Sequence, residues 1–460
     1  MSAQSESDHS DRLWRVTQQA SLSADARTPF DEHALAELPE AAGFTGELRT
    51  RALGEFEAMP TPSQETEEWR YTDLSDFALD FAPYTPGGRA ENLDGVPEHV
   101  LAAAGAIGDR AGLQIQHNSD AMLTHVDPAL AARGVIFSDL DAAAATHPDL
   151  VERHLHSLVP TSRTKFLAMH AAFRTGGTFL FVPDGIEIDL PLQTLTYVDA
   201  DGAAVFPHTL VVVGENASVT FIDRYASPDL EHAFSNAVSE IVVGDGARVR
   251  YVSIQDWGSG VTHLGVQRAT VGRDATIRTL AIGFGADLAR AEAETILARP
   301  GGFSEMLGVF FADGHQHFDH RSLQDHVAPN CSSELLYKGA LRDHSRAVYS
   351  GWVHVRPDAQ KTNAMQTNRN IVLSEHAKAD SIPNLEIEAN DVRCGHAASV
   401  GPVDEDAIFY LQSRGITRED AERLIVSGFF QEVLDRVTID EVRQGAEAAI
   451  ARELAGGIRV

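Results

Sequence analysis

The chain has 460 residues, of which 43% are hydrophobic, so it is long enough for two or three globular units and too apolar for wholesale disorder. Its 37 basic against 67 acidic residues leave a net charge of −30, which repels phosphate backbones and anionic lipids and argues against nucleic-acid and membrane-surface roles. Two cysteines, Cys331 and Cys394, build neither a disulfide framework nor a zinc site of four thiolates. Lysine occurs only at Lys165, Lys338, Lys361 and Lys378, and a surface so acidic and arginine-based suits a high-salt cytoplasm, as in halophiles. The opening MSAQSESDHS is polar, and no apolar run approaches the ~18 residues that span a bilayer, so a cytoplasmic chain is expected.

In chain order, residues 1–160 read as a helical, loop-rich unit. Ala and Leu recur between acidic residues at Asp31–Leu38 and Ala52–Ala58, Pro60 and Pro62 interrupt, and the aromatic cluster Glu67–Leu74 follows. Gly and Pro are frequent from Pro83 to Gly112, which predicts an irregular connection before helical spacing returns over Ala129–His156. From about Lys165 the pattern changes to short β-rich segments with turn residues between them: Thr178–Val182, Leu192–Val198, Thr209–Val213, Ser239–Val243 and Val249–Ile254. Three turns are near copies, Gly214-Glu215-Asn216-Ala217, Gly244-Asp245-Gly246-Ala247 and Gly272-Arg273-Asp274-Ala275, with glycines 30 and 28 residues apart. Arg356-Pro357-Asp358-Ala359 and Ser374-Glu375-His376-Ala377 are looser relatives. A turn repeated at a near-constant interval marks a solenoid, and a parallel β-helix over residues 161–402 satisfies both signals. Solenoid ends expose unpaired strand edges, which the flanking helical segments are expected to cap.

Residues 403–460 read as a helical unit. Acidic Asp404, Glu405 and Asp406 precede Ile408, Phe409 and Leu411, and Thr417 is a good N-cap residue. Ala421, Leu424, Ile425, Val433 and Leu434 recur at helical spacing, whereas adjacent Phe429 and Phe430 cannot both face one core, which leaves one to meet a partner. Where the β-rich body meets this tail, Cys394 and His396 are two residues apart, so on a strand they share a face. A small buried thiol beside a hydrogen-bonded histidine is the commoner meaning of such a pair.

No Gly-x-x-x-x-Gly-Lys-Ser/Thr stretch occurs, so the chain has no P-loop of its own, and Gly283-Phe284-Gly285 is half a dinucleotide fingerprint without its third glycine. His315, His317, Asp319 and His320 match His-x-His-x-Asp-His, a zinc signature of metallo-hydrolases, which makes a zinc-dependent hydrolase the alternative function. Against it, the motif lies deep in the β-repeat, without the flanking βα units such enzymes carry. A β-helix carbohydrate enzyme would use grouped carboxylates, and nothing in the sequence pins such a group.

Several separated stretches resemble the SufB/SufD family of iron–sulfur cluster assembly scaffolds, and SufD more than SufB. They are Glu68–Asp73, Gln316–Asp319, Gln324–His326, Leu336–Gly339, Asn368–Asn370, Ser381–Pro383, Leu385–Ile387, Asn390–Cys394, Phe409–Leu411 and Ser413–Ile416. The resemblance implies a right-handed parallel β-helix between helical N- and C-terminal domains, in a scaffold with no catalysis of its own. It implies pairing with a SufB-like paralogue, or with itself when alone, and an ABC-type SufC ATPase docked on the C-terminal domain near Arg414, Gly415, Phe429 and Phe430. It places His396, and with it Cys394, at the interface where a transient cluster forms, His396 as a metal ligand, with no cofactor held tightly by the isolated chain. The family's glycine after that histidine is Ala397 here.

Overall fold

The computed structural model describes residues 30–41, 43–105 and 110–455; the polar opening stretch and the last five residues lie outside them. Among the described residues two ten-stranded sheets face each other, and from His208–Val213 onward consecutive strands alternate between them. The first sheet runs from the hairpin Gly112–His117/Asp120–Val126 through Leu192–Tyr197 to Arg393–Pro402. The second runs from Ile136–Asp139 through Thr178–Val182 and His208–Val213 to Lys378–Ile387. Within the repeat every pairing is parallel and in step: Ser218, Arg248, Thr276, Phe303, Ser332, Asn363 and Arg393 stand side by side, so each coil takes 27 to 31 residues. This is a parallel β-helix.

The copied turns explain the interval. Asn216, Gly246, Asp274, Asn330 and Lys361 occupy equivalent corners with φ between 52° and 68°. That left-handed region is open to glycine and tolerated by Asn and Asp, so the third turn position reads Asn, Gly, Asp. Each corner N–H donates to a carbonyl of the next coil, as from Gly246 to Arg273 at 2.8 Å. The alanine that follows has no exposed surface at Ala217, Ala247 and Ala275, because the corner leaves room for one methyl. Cys331 fills the same kind of corner, its thiol 3.4 Å from the Arg299 carbonyl. The turn at Ser374-Glu375-His376-Ala377 lies on the opposite edge of the solenoid, where His315, His344 and His376 stack with ring centroids 5.1 and 4.7 Å apart.

The N-terminal region differs from the expectation of helices and loops alone. Three of its segments are strands, and Gly112–His117 pairs in parallel with Leu192–Tyr197 and so begins the first sheet. The helix Lys165–Phe173 is buried along its whole length and carries a Phe30–Phe173–Phe206 cluster onto the second sheet. At the other end, helix Glu405–Gln412 packs on Arg418–Leu434, and helices Arg418–Leu434 and Asp440–Leu454 lie on the outer face of the first sheet. Val426, Phe430, Val433 and Ile450 pack there on Leu280, Val309 and Leu336.

The interior holds histidines neutral. Burial pushes His263 down to about 3, and His320 and His326 to about 4. In an unfolded chain these rings titrate near pH 6.5, so below that pH the unfolded state binds more protons and the fold loses stability as pH falls from about 6.5 to 4. Asp139, raised to about 6 by burial, works in the opposite sense and offsets one of the three. These four groups together contribute a slope near pH 5 of about 2–3 kcal/mol per pH unit. Urea midpoints at pH 7, 6 and 5 should fall in that order; a midpoint constant over this range would contradict it.

Candidate functional site

The final strand of each sheet pairs on one side only: Lys378–Ile387 with Arg346–Val355, and Arg393–Pro402 with Asn363–Val372. Their other edges carry the free backbone donors and acceptors that invite a further strand. Exposed Met365, Ile387 and Val400 surround this end, an apolar content unusual for a bare solenoid tip.

Cys394 and His396 sit on the Arg393–Pro402 strand, in register with Ala364 and Gln366. Both point to the inner face, as their spacing requires. Cys394 is half-buried against the Val353–Val355–Ala364 cluster, and burial pushes its thiol pKa up, so it stays protonated in the chain alone. His396 has no coil above it and is exposed. Behind it runs a polar interior column: Ser322 meets the Tyr349 hydroxyl at 2.8 Å, and Gln366 donates to that hydroxyl at 2.8 Å. Asn370 donates to the Asn368 side-chain oxygen at 2.8 Å, and Ser381 donates to it at 2.7 Å. An imidazole and a thiol thus face open space at the mouth of a polar channel of side chains, where a second chain could complete a metal-binding set.

The three histidines of the hydrolase motif do not converge. His315 lies in a turn; His317 and His320 are on the strand His317–His326, an odd number of residues apart, so they point to opposite faces. His320 is buried inside beside Phe310 and Tyr337, while His317 faces outward. Strand alternation therefore breaks the motif, and the zinc-hydrolase alternative is not supported.

Asp319, within that motif, has a structural task that no local pattern revealed. It has no exposed surface, accepts from Arg290 at 2.6 Å, Arg321 at 3.2 Å and the Thr72 hydroxyl at 2.5 Å. Burial alone would raise its pKa, but Arg290 and Arg321 hold it below the ordinary carboxylate value. The Arg290 guanidinium also lies 4.1 Å from the Trp69 ring centre and pairs with Glu292 at 2.6 Å. The Glu67–Leu74 cluster is thereby pinned to the outside of the second sheet.

On the C-terminal helices Phe429 and Phe430 both pack on one core, where their adjacency predicts one left outside it. Phe430 is fully buried, and Phe429 is half-buried on the same core, its ring 4.6 Å from the Lys338 ammonium, which also donates to the Phe429 carbonyl at 2.7 Å. Adjacent phenylalanines share one core because the helix is wedged against the sheet. Phe409, Tyr410 and Leu424 are instead exposed, Phe409 at 73%. Arg414 stacks on Tyr410, 4.8 Å from the ring centre, and donates to its hydroxyl at 2.9 Å. Gly415, at φ 85°, ends the helix with its N–H on the Gln412 carbonyl, a C-terminal cap that favours glycine for backbone reasons.

The chain is thus a parallel β-helix flanked by helical regions, with one end open and bearing a thiol and an imidazole. Residues 196–429 match the family model described as the SUF system FeS cluster assembly SufBD core domain, and residues 111–194 match the SufBD protein N-terminal region. The chain is similar to an iron–sulfur cluster assembly protein SufD of Bacillus subtilis, 31% identical over 88% of this chain and 93% of the relative. It is also similar to the SufB of the same organism, 29% identical over 84% of each chain, and to a SufBD family protein of Mycobacterium leprae, 36% identical over 64% of this chain and 76% of the relative. The chain belongs to the SufBD family of iron–sulfur cluster assembly proteins.

Proposed function

We propose that the chain is the SufD-like subunit of a cytoplasmic assembly complex, a scaffold that builds clusters without catalysis of its own. A SufB-like paralogue pairs edge to edge with Lys378–Ile387 and Arg393–Pro402, and His396, with Cys394 beside it, faces the nascent cluster as it forms at that junction. The cluster is cargo, and the isolated chain holds none tightly. The observation that carries this reading is the pair of open strand edges with Cys394 and His396 between them. Among the described residues no helix is long and apolar enough to cross a membrane.

Energy comes from a partner, since the sequence has no P-loop. A SufC-like ABC ATPase docks on the C-terminal helices, where Phe409, Tyr410 and Leu424 offer an exposed apolar patch flanked by Arg414. Phe409→Asp should weaken ATPase binding about 30-fold, the loss of one buried aromatic anchor, without lowering the Tm of the chain. Titration calorimetry with the purified ATPase measures this; unchanged affinity would move the docking surface elsewhere. Native co-purification with metal analysis tests the whole reading. A paralogue, an ABC ATPase and iron are expected, whereas an isolated chain without them would contradict it.

A further inference from the structure

At the opposite end of the molecule, far along the chain from Cys394, three imidazoles meet where the N-terminal helices join the second sheet. His156 follows the helix Pro148–His154, His170 lies on Lys165–Phe173, and His208 begins the strand His208–Val213. His170 and His208 have no exposed surface, and the three offer one nitrogen each within 4.8 Å of one another.

The hydrogen bonds fix which nitrogen carries a proton on each ring. His170 Nδ1 faces the Asn236 carbonyl at 2.8 Å and His156 Nδ1 faces the Val159 carbonyl at 3.1 Å. A carbonyl only accepts, so both Nδ1 atoms are protonated and both Nε2 atoms carry lone pairs. His208 Nε2 faces Glu240 at 3.2 Å. The Glu240 carboxyl also accepts the backbone N–H groups of His156, Leu158 and Val159 at 2.6 to 2.9 Å. With His208 Nε2 donating to Glu240, its Nδ1 carries a lone pair. That lone pair stands 3.1 Å from the lone pair of His170 Nε2, and the buried Nε2 of His156 has no hydrogen-bond partner. A cation among these three nitrogens would use all three lone pairs.

The geometry points to a site for one borderline divalent transition-metal ion, such as zinc, held by His156 Nε2, His170 Nε2 and His208 Nδ1. Metal–imidazole bonds of about 2.0–2.1 Å space tetrahedral nitrogens roughly 3.3 Å apart, close to the His170–His208 separation. Each ligand already gives its other ring nitrogen to a carbonyl or carboxylate, the arrangement that orients histidines on metals. Neutral imidazoles suit zinc or ferrous iron and need no thiolate. Because the ligands come from a loop, a helix and a strand, the ion would clamp the N-terminal helices to the solenoid.

The test uses the full-length chain, stripped with a chelator and titrated with zinc alone. Metal content is read by elemental analysis, coordination by X-ray absorption, and stability by Tm. The expected result is a single zinc per chain in a shell of nitrogen without sulfur, and a Tm that rises with zinc. His156→Gln and His170→Gln should weaken binding by at least about 100-fold and abolish the Tm response, whereas His315→Ala retains both. Equal zinc in wild type and both variants, or sulfur in the shell, would overturn the assignment. Should a variant fail to fold, the wild type alone decides. Folded wild-type chain without zinc, with a proton shared between His170 and His208 in nitrogen NMR shifts, would also overturn it.

Discussion

Replacing His396 with alanine should leave the β-helix intact and cut the cluster yield of the assembled complex at least about tenfold, as loss of a metal-binding group does. His396 is exposed on an edge strand, so the stability change should stay within about 0.5 kcal/mol, the range of ordinary surface substitutions. Acid-labile sulfide and iron per complex, measured beside the Tm, separate the two effects. Cys394→Ala supplies the contrast. Its side chain packs on Ala364 and its neighbours, so a purely structural thiol would lose about 1 kcal/mol of stability and no clusters. Normal yield from the His396 variant would remove this histidine from the junction.

The second large effect is expected at Asp319, far from that junction. Asp319→Ala leaves the Arg290 guanidinium, which is 3% exposed, with Glu292 at 2.6 Å, and takes from Arg321 the carboxylate it donates to. Breaking one side of a buried ion pair costs about 3–5 kcal/mol, because the remaining charge stays desolvated. The variant should unfold at lower urea, and the segment Glu67–Leu74, which Thr72 and Trp69 hold to this network, should be cut early by protease. Thr72→Val removes a single hydrogen bond and should cost about 1–2 kcal/mol. An Asp319 variant as stable as wild type would mean that the arginines find other partners.

The solenoid was legible because its corner chemistry is local. A left-handed third position and a buried alanine can be written in four residues, and copies at Asn216, Gly246 and Asp274 betray the coil length. The hairpin Gly112–His117/Asp120–Val126 was not, and the irregular connection expected over Pro83–Gly112 stops where its first strand begins. The Cys394–His396 pair was visible as two residues on one strand face, while the exposure of His396 follows from its place on the last strand of the described solenoid. Tertiary packing hid the rest. Whether Phe429 or Phe430 meets solvent depends on how the helix is wedged against Lys338, which periodicity does not encode. His156, His170 and His208 follow no motif spacing and meet only through the fold. The hydrolase motif, already disfavoured by its place in the β-repeat, fails because strand alternation sends His317 and His320 to opposite faces.

The most direct measurement is amide hydrogen exchange over Lys378–Ile387 and Arg393–Pro402, in the chain alone and with the SufB-like paralogue bound. Free edge amides exchange quickly, and pairing should slow alternate amides of at least one of these strands by about 100-fold or more, since exchange would then require opening of the interface. Unchanged exchange along both strands, in a complex shown to be fully bound, would contradict pairing through this end.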